Sequence, residues 1–299
     1  MATSHGQLAA APGIELAYTV HDSGADGLPV VLLHGLSQQR AFWGPVVRRM
    51  RARPVATLDQ RGHGESNTPL GSDFSVAACA ADVLALLDAV GWPQAVVVGH
   101  SWGGSVALAA AAAAPGRVRA AGLVDGGLWS PAALGPRDEV RRALTPPPLG
   151  MPQEEFWAMV RGEAPTTRLT DEVRAALEPT FVVDDEGLVR SRIGMDRHLA
   201  VLDGLLDVDP AVDLDACTAA GTPLWAIVCE PAGQAGDDHA WAGLKGAAVA
   251  QAAARPNLLV HRWAGAIHDV PLQWPSLVAG FIDALVDESS ADRALGGGA

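Results

Sequence analysis

The run Val96-Val97-Val98-Gly99-His100-Ser101-Trp102-Gly103-Gly104 carries a serine framed by glycines where a β-branched stretch meets an alanine-rich one. That spacing permits a strand-to-helix turn so tight that only residues without side chains can lie against it on either side. The serine hydroxyl is then pushed out beside a helix N-terminus, where N–H groups and the helix dipole favour developing negative charge. A serine so placed is suited to nucleophilic attack, provided a base takes its proton. Histidine, which titrates near neutrality, is the natural base.

The elements that must position such a serine are readable in order. Residues 14–20 and 29–33 form apolar or alternating runs separated by a turn-rich segment, and the second ends in His34-Gly35-Leu36. A helical pattern over 41–52 precedes a buried strand over 54–58, which ends at Asp59 before Arg61-Gly62-His63-Gly64-Glu65-Ser66. A helix over 75–90 stops at Gly91, a strand over 94–99 leads into Ser101, and a helix over 103–114 leaves it. A further strand over 119–124 ends in Asp125-Gly126-Gly127.

Regularity then breaks. Between about 128 and 221 the chain shows a proline-rich stretch, helical patterns over 137–144, 153–161, 170–177 and 193–206, and a turn at Glu186-Gly187 between short extended pieces. Strand and helix resume at 223–230, 238–254 and 257–263, before the loop Gly265-Ala266-Ile267-His268-Asp269 and a closing helix over 275–286. Alternation of this kind predicts a mostly parallel sheet with helices on both faces and ligands at the C-terminal strand edge. The expected organisation is a core from 1–127 and 222–299, a helical cap inserted at 128–221, and a disordered tail over 290–299.

Composition narrows the partners. Hydrophobic residues make up 49% of the 299-residue chain, which supports a large core, and the formal charge of −13 argues against nucleic acid or an anionic membrane surface. Cys79, Cys217 and Cys229 have no metal-ligand spacing and suit a reducing compartment. With no basic and apolar leader and no apolar run long enough for a bilayer, the expectation is a cytoplasmic protein without a membrane span. Oligomeric state leaves no mark on the sequence.

Together, His34-Gly35, the run Arg61–Ser66, the elbow Gly99–Gly103 and the late His268 resemble the α/β-hydrolase superfamily over nearly the whole chain. The resemblance implies an α/β-hydrolase fold with Ser101 as nucleophile and His268 as its base. It places the oxyanion donors at the backbone amides of Leu36 and Trp102, and it gives His34 and His63 structural roles in loop packing. No metal or organic cofactor is implied. The triad acid of this family usually follows the strand over 223–229, but here the chain reads Cys229-Glu230-Pro231-Ala232-Gly233, with an apolar residue where an aspartate is expected. Glu230, Asp237 and Asp238 stay open as candidates. Asp125 is preferred, because haloalkane dehalogenases and certain lactonases of the superfamily carry the acid at that strand end.

Relatives that cleave carbon–halogen bonds or epoxides use aspartate at the nucleophile position, so serine points to acyl transfer. The expected substrate is a small to medium hydrophobic ester or lactone, with Trp129 and Trp157 as aromatic pocket walls. Two alternatives remain open: a carbon–carbon bond hydrolase or cofactor-free lyase on the same fold, and a hydrolase-like ligand-binding protein with little turnover.

Overall fold

The computed structural model describes residues 2–163, 168–231 and 238–296. The chain opens with a hairpin, β1 (Ala2–Ala11) and β2 (Ile14–Asp22), followed by β3 (Val30–Leu33) and the short helix α1 (Gly44–Val47). Then come β4 (Val55–Leu58), α2 (Val76–Ala89), β5 (Ala95–His100), α3 (Trp102–Ala113) and β6 (Val118–Val124). Next come α4 (Arg137–Ala143), β7 (Met151–Pro152), α5 (Gln153–Glu163), α6 (Asp171–Leu177), β8 (Phe181–Val183), β9 (Leu188–Ser191), α7 (Met195–Leu206) and α8 (Pro210–Ala220). The chain closes with β10 (Leu224–Glu230), α9 (Asp238–Ala252), β11 (Leu258–Ala264), α10 (Val270–Gln273) and α11 (Pro275–Gly296).

One eight-stranded sheet runs in the order β1-β2-β4-β3-β5-β6-β10-β11. The pairs from β4 to β11 are parallel, whereas β2 runs antiparallel to both β1 and β4. The apolar runs are buried on both faces because alternate residues point to opposite sides of a strand. Val31, Leu33 and Val97 join the core beneath α2 and α3, while Val30, Leu32, Val96 and Val98 join the one beneath α11. A sheet packed in this way holds its C-terminal edge rigid, and β3, β4, β5, β6 and β11 all deliver loops there.

Several expectations change. The pattern over 41–52 does not form one helix: a 3-10 turn over Arg40–Trp43 runs into α1, which ends at Val47. The amide of Arg49 turns back to Val46 O, three residues earlier, which tightens the exit. The first strand, β1, carries no strand signal in the sequence because its Ala, His, Gly and Ser residues lack β-branched alternation, and most of it is exposed. In the insertion, the turn at Glu186-Gly187 joins β8 to β9, and with β7 these form a three-stranded sheet of order β7-β9-β8. The helix α8, which the sequence patterns do not announce, puts Leu214 and Cys217 into the core against α3. The closing helix extends to Gly296, well into the stretch expected to be disordered; residues 297–299 lie outside the described ones. Among the described residues no helix is long and apolar enough to cross a membrane.

Candidate active site

Ser101 sits between β5 and α3 at φ 54°, a left-handed conformation that non-glycine residues rarely adopt. Strain of this kind costs on the order of 1–3 kcal/mol and persists only where packing enforces it. Here the close backbone packing that the flanking glycines permit enforces it. A Cβ on Gly99 would lie 1.8 Å from Gly103 O, and one on Gly103 would lie 2.5 Å from His34 O. The loop after β6 is pressed equally close, since a Cβ on Gly126 would lie 2.0 Å from Ser101 O.

The loop after β11 brings His268 to this serine across 167 residues of sequence. Ser101 Oγ–H donates to His268 Nε2 at 2.9 Å, and His268 Nδ1–H donates to Asp125 Oδ2 at 2.7 Å. Asp125, at φ 49° directly after β6, is 3% exposed, whereas the His268 side chain keeps 57% of its surface open. Burial alone would raise the Asp125 carboxyl, yet the hydrogen bond and charge of His268, together with Lys245, hold it below the ordinary carboxylate range. For His268, desolvation favours the neutral ring, but the hydrogen bond and charge of Asp125 outweigh it and raise its basicity above the usual value.

Two residues that the sequence did not single out complete the arrangement. Lys245 Nζ, from α9, donates to Asp125 Oδ1 at 2.7 Å and to Cys229 O at 3.2 Å, and the Cys229 amide donates to the same Oδ1 at 2.9 Å. One signal was available, because Lys245 is the chain's sole lysine among 21 basic residues. Gln38 is the second. Its Oε1 accepts from Gly35 N–H at 2.8 Å and its Nε2 donates to Asp269 Oδ1 at 3.0 Å, which ties the loop after β3 to the histidine loop. His100 also reaches that loop: its Nε2–H donates to His268 O at 2.8 Å, and its ring stacks on Phe42.

Leu36 and Trp102 border the same cavity as Ser101. Trp102 opens α3, so its N–H has no acceptor within the helix. Around Leu36, Gly35 N–H is bound to Gln38 and Ser37 N–H to His63 Nε2. His34 and His63 do serve the loops. His34 Nδ1–H donates to Gly35 O and its Nε2 accepts from Gln60 N–H, while His63 Nδ1–H donates to Arg61 O. Burial favours both as neutral rings and lowers His34 to about 4.

The cavity beside Ser101 measures about 180 Å³ and is mainly apolar, walled by Trp129, Pro131, Leu144, Leu202 and Leu205. Trp157 must be reassigned. It is 4% exposed and packs against Phe156 and Phe181 in the insertion's own core, with the Arg174 guanidinium 4.8 Å from its ring centre. The pocket wall therefore holds Trp129 and not Trp157. Glu230 points away from the histidine and pairs with Arg262 at 2.8 Å on the surface, both side chains being more than 40% exposed. Asp237 lies outside the described residues, and so does the side chain of Asp238. A serine, a histidine and a carboxylate in this order can move a proton off the hydroxyl and hold the resulting imidazolium.

Residues 29–154 match the family model described as alpha/beta hydrolase fold. A protein called carbamate hydrolase RutD in Variovorax paradoxus is 39% identical over 117 residues, which cover 38% of this chain and 43% of that protein. Lipase LipV of Mycobacterium tuberculosis is 38% identical over 96 residues, or 32% of this chain and 36% of that one. The chain thus spans less than half the length of the curated relatives it matches. Among solved structures, that of E-2-(acetamidomethylene)succinate hydrolase superposes with a TM-score of 0.74 at 22% identity, covering 96% of this chain and 100% of the other.

Proposed function

We propose that the chain is a serine hydrolase of the α/β-hydrolase superfamily that cleaves a carboxylic ester or lactone of a small to medium hydrophobic acyl group, a reading supported by the family match over residues 29–154 and the shared fold. The observation that carries this reading is the placement of His268 between Ser101 at 2.9 Å and Asp125 at 2.7 Å. The substrate carbonyl enters the apolar cavity with its oxygen toward the amides of Leu36 and Trp102. Ser101 Oγ attacks the carbonyl carbon as His268 Nε2 takes the hydroxyl proton, and Asp125 holds the ring and stabilises its charge. The two amides bind the oxyanion, a contribution of about 3 kcal/mol for each donor in related chemistry. His268 then protonates the leaving alcohol and activates water, which releases the acid and regenerates Ser101.

The positive φ of Ser101 and the α3 N-terminus support the nucleophile role, and the apolar lining supports a hydrophobic acyl group. The unpaired, buried Cys79, Cys217 and Cys229 support a reducing, cytoplasmic setting. A screen of p-nitrophenyl esters of graded chain length, lactones of several ring sizes and a carbamate tests the reading. Turnover should peak at short to medium acyl chains and vanish in Ser101→Ala. Retained turnover in that variant contradicts the proposal, and ketone fragments among the products would point to carbon–carbon cleavage.

A further inference from the structure

We propose that Lys245 is a positioning residue of this reaction, pinning Asp125 Oδ1 from behind so that Oδ2 is presented to His268. The inference rests on the serine-hydrolase reading and deepens it. A carboxylate at a strand end can rotate about its side-chain bonds, and only one rotation places an oxygen along the N–H of the histidine ring. Here the far oxygen is fixed by two donors, the Lys245 ammonium at 2.7 Å and the Cys229 amide at 2.9 Å. The ammonium is itself held by Cys229 O at 3.2 Å and lies 4.9 Å from the ring centre of Trp129. Lysine and aspartate are both buried, 9% and 3% exposed, so their interaction is poorly screened. Trp129 is also a wall of the substrate cavity, so one cation braces both the acid and the pocket.

The lysine has an electrostatic consequence as well. The charged and titratable groups facing His268 are Asp125 from β6, His100 from β5, Asp269 from its own loop and Lys245 from α9; the Cys229 thiol of β10 stands next to Asp125. A fixed positive charge behind the carboxylate opposes protonation of the ring in front of it. His268 therefore stays a free base to lower pH than Asp125 alone would allow.

The test compares wild type with Lys245→Met and Lys245→Arg, using kcat, KM and the pH profile of ester hydrolysis, with active sites counted by a fluorophosphonate. Lys245→Met should lower kcat about 10–100-fold, the loss expected for one charged hydrogen bond, with a smaller change in KM. Its acidic limb should move to higher pH, and Lys245→Arg should bring the limb back. A folded Lys245→Met with wild-type kcat and an unmoved or lowered limb overturns the proposal. If Lys245→Met does not fold, ¹⁵N-lysine labelling of the wild-type chain still decides, because it yields a single side-chain ammonium resonance. That resonance should shift when Ser101 is phosphonylated, and one that does not respond overturns the proposal. Wild-type protein that neither turns over esters nor takes the label refutes the serine-hydrolase reading itself, whereas active wild type with an indifferent Lys245 refutes only this inference.

Discussion

Two aspartates follow parallel strands of the same sheet, and their partners differ. Asp59 follows β4 and Asp125 follows β6; both are buried, and each holds a cation, Arg40 or Lys245. Around Asp59 every partner belongs to the scaffold. Its oxygens accept from Arg40 N–H at 2.7 Å and Glu65 N–H at 2.8 Å as well as from the Arg40 guanidinium, and Gly64 lies so close that no Cβ could fit there. Around Asp125 one oxygen is bound by scaffold donors and the other by a histidine that also reaches a strained serine. The cleft beside Asp59 is the larger, about 380 Å³ against 180 Å³ beside Ser101. Size therefore does not single out the cleft beside Ser101; what distinguishes it is a carboxylate with one oxygen left for a base.

Substitutions can break this contrast. Asp125→Asn should leave the fold intact and lower kcat by about 10³–10⁴-fold, as loss of the orienting acid does in serine hydrolases generally. Steady-state hydrolysis and circular dichroism on the same sample check both halves. Asp59→Ala should do the reverse, costing on the order of 3–5 kcal/mol in denaturant unfolding because Arg40 loses its buried partner, with kcat per folded molecule changed only a few-fold.

How much of this was legible in the sequence follows the same division. Ser101, Asp125 and His268 could be found because each ends or follows a strand whose apolar run was readable, and parallel strands in one sheet bring such ends to one edge. The run Arg61–Ser66 was visible as a motif, but its purpose appears only in space. Arg61 forks onto Asp82 at 2.6 and 2.7 Å, Glu65 meets Arg40, and Ser66 Oγ donates to Asp59 O at 2.6 Å. Lys245 escaped because its contact spans 120 residues and no local pattern predicts which helix position will face a strand end. Trp157 misled for the opposite reason, since an aromatic in an insertion serves an internal core as readily as a pocket.

The buried histidines add a pH test. Their folded-state affinity for protons is depressed, His34 to about 4 and His63 well below 6.5, so the unfolded chain binds protons first as pH falls. Unfolding free energy should accordingly hold above pH 6.5 and fall between there and about 4, independently of Asp125. A flat profile over that window in guanidinium titrations would contradict the neutral, bonded state of these rings. The smallest effect is expected at Glu230→Gln, which removes an exposed ion pair; kcat and stability should change less than about twofold and 1 kcal/mol respectively. A large loss of kcat there would move the acid from Asp125 to Glu230.

The proposed acyl transfer requires Ser101 Oγ to carry the acyl group. Acid-quenched mixing of the protein with a short-chain p-nitrophenyl ester, followed by peptide mass spectrometry, reads this directly. The predicted result is one acyl adduct per chain on the peptide containing Ser101, formed in wild type and absent from Ser101→Ala. An adduct on any other residue, or ester turnover in Ser101→Ala at the wild-type rate, would contradict it.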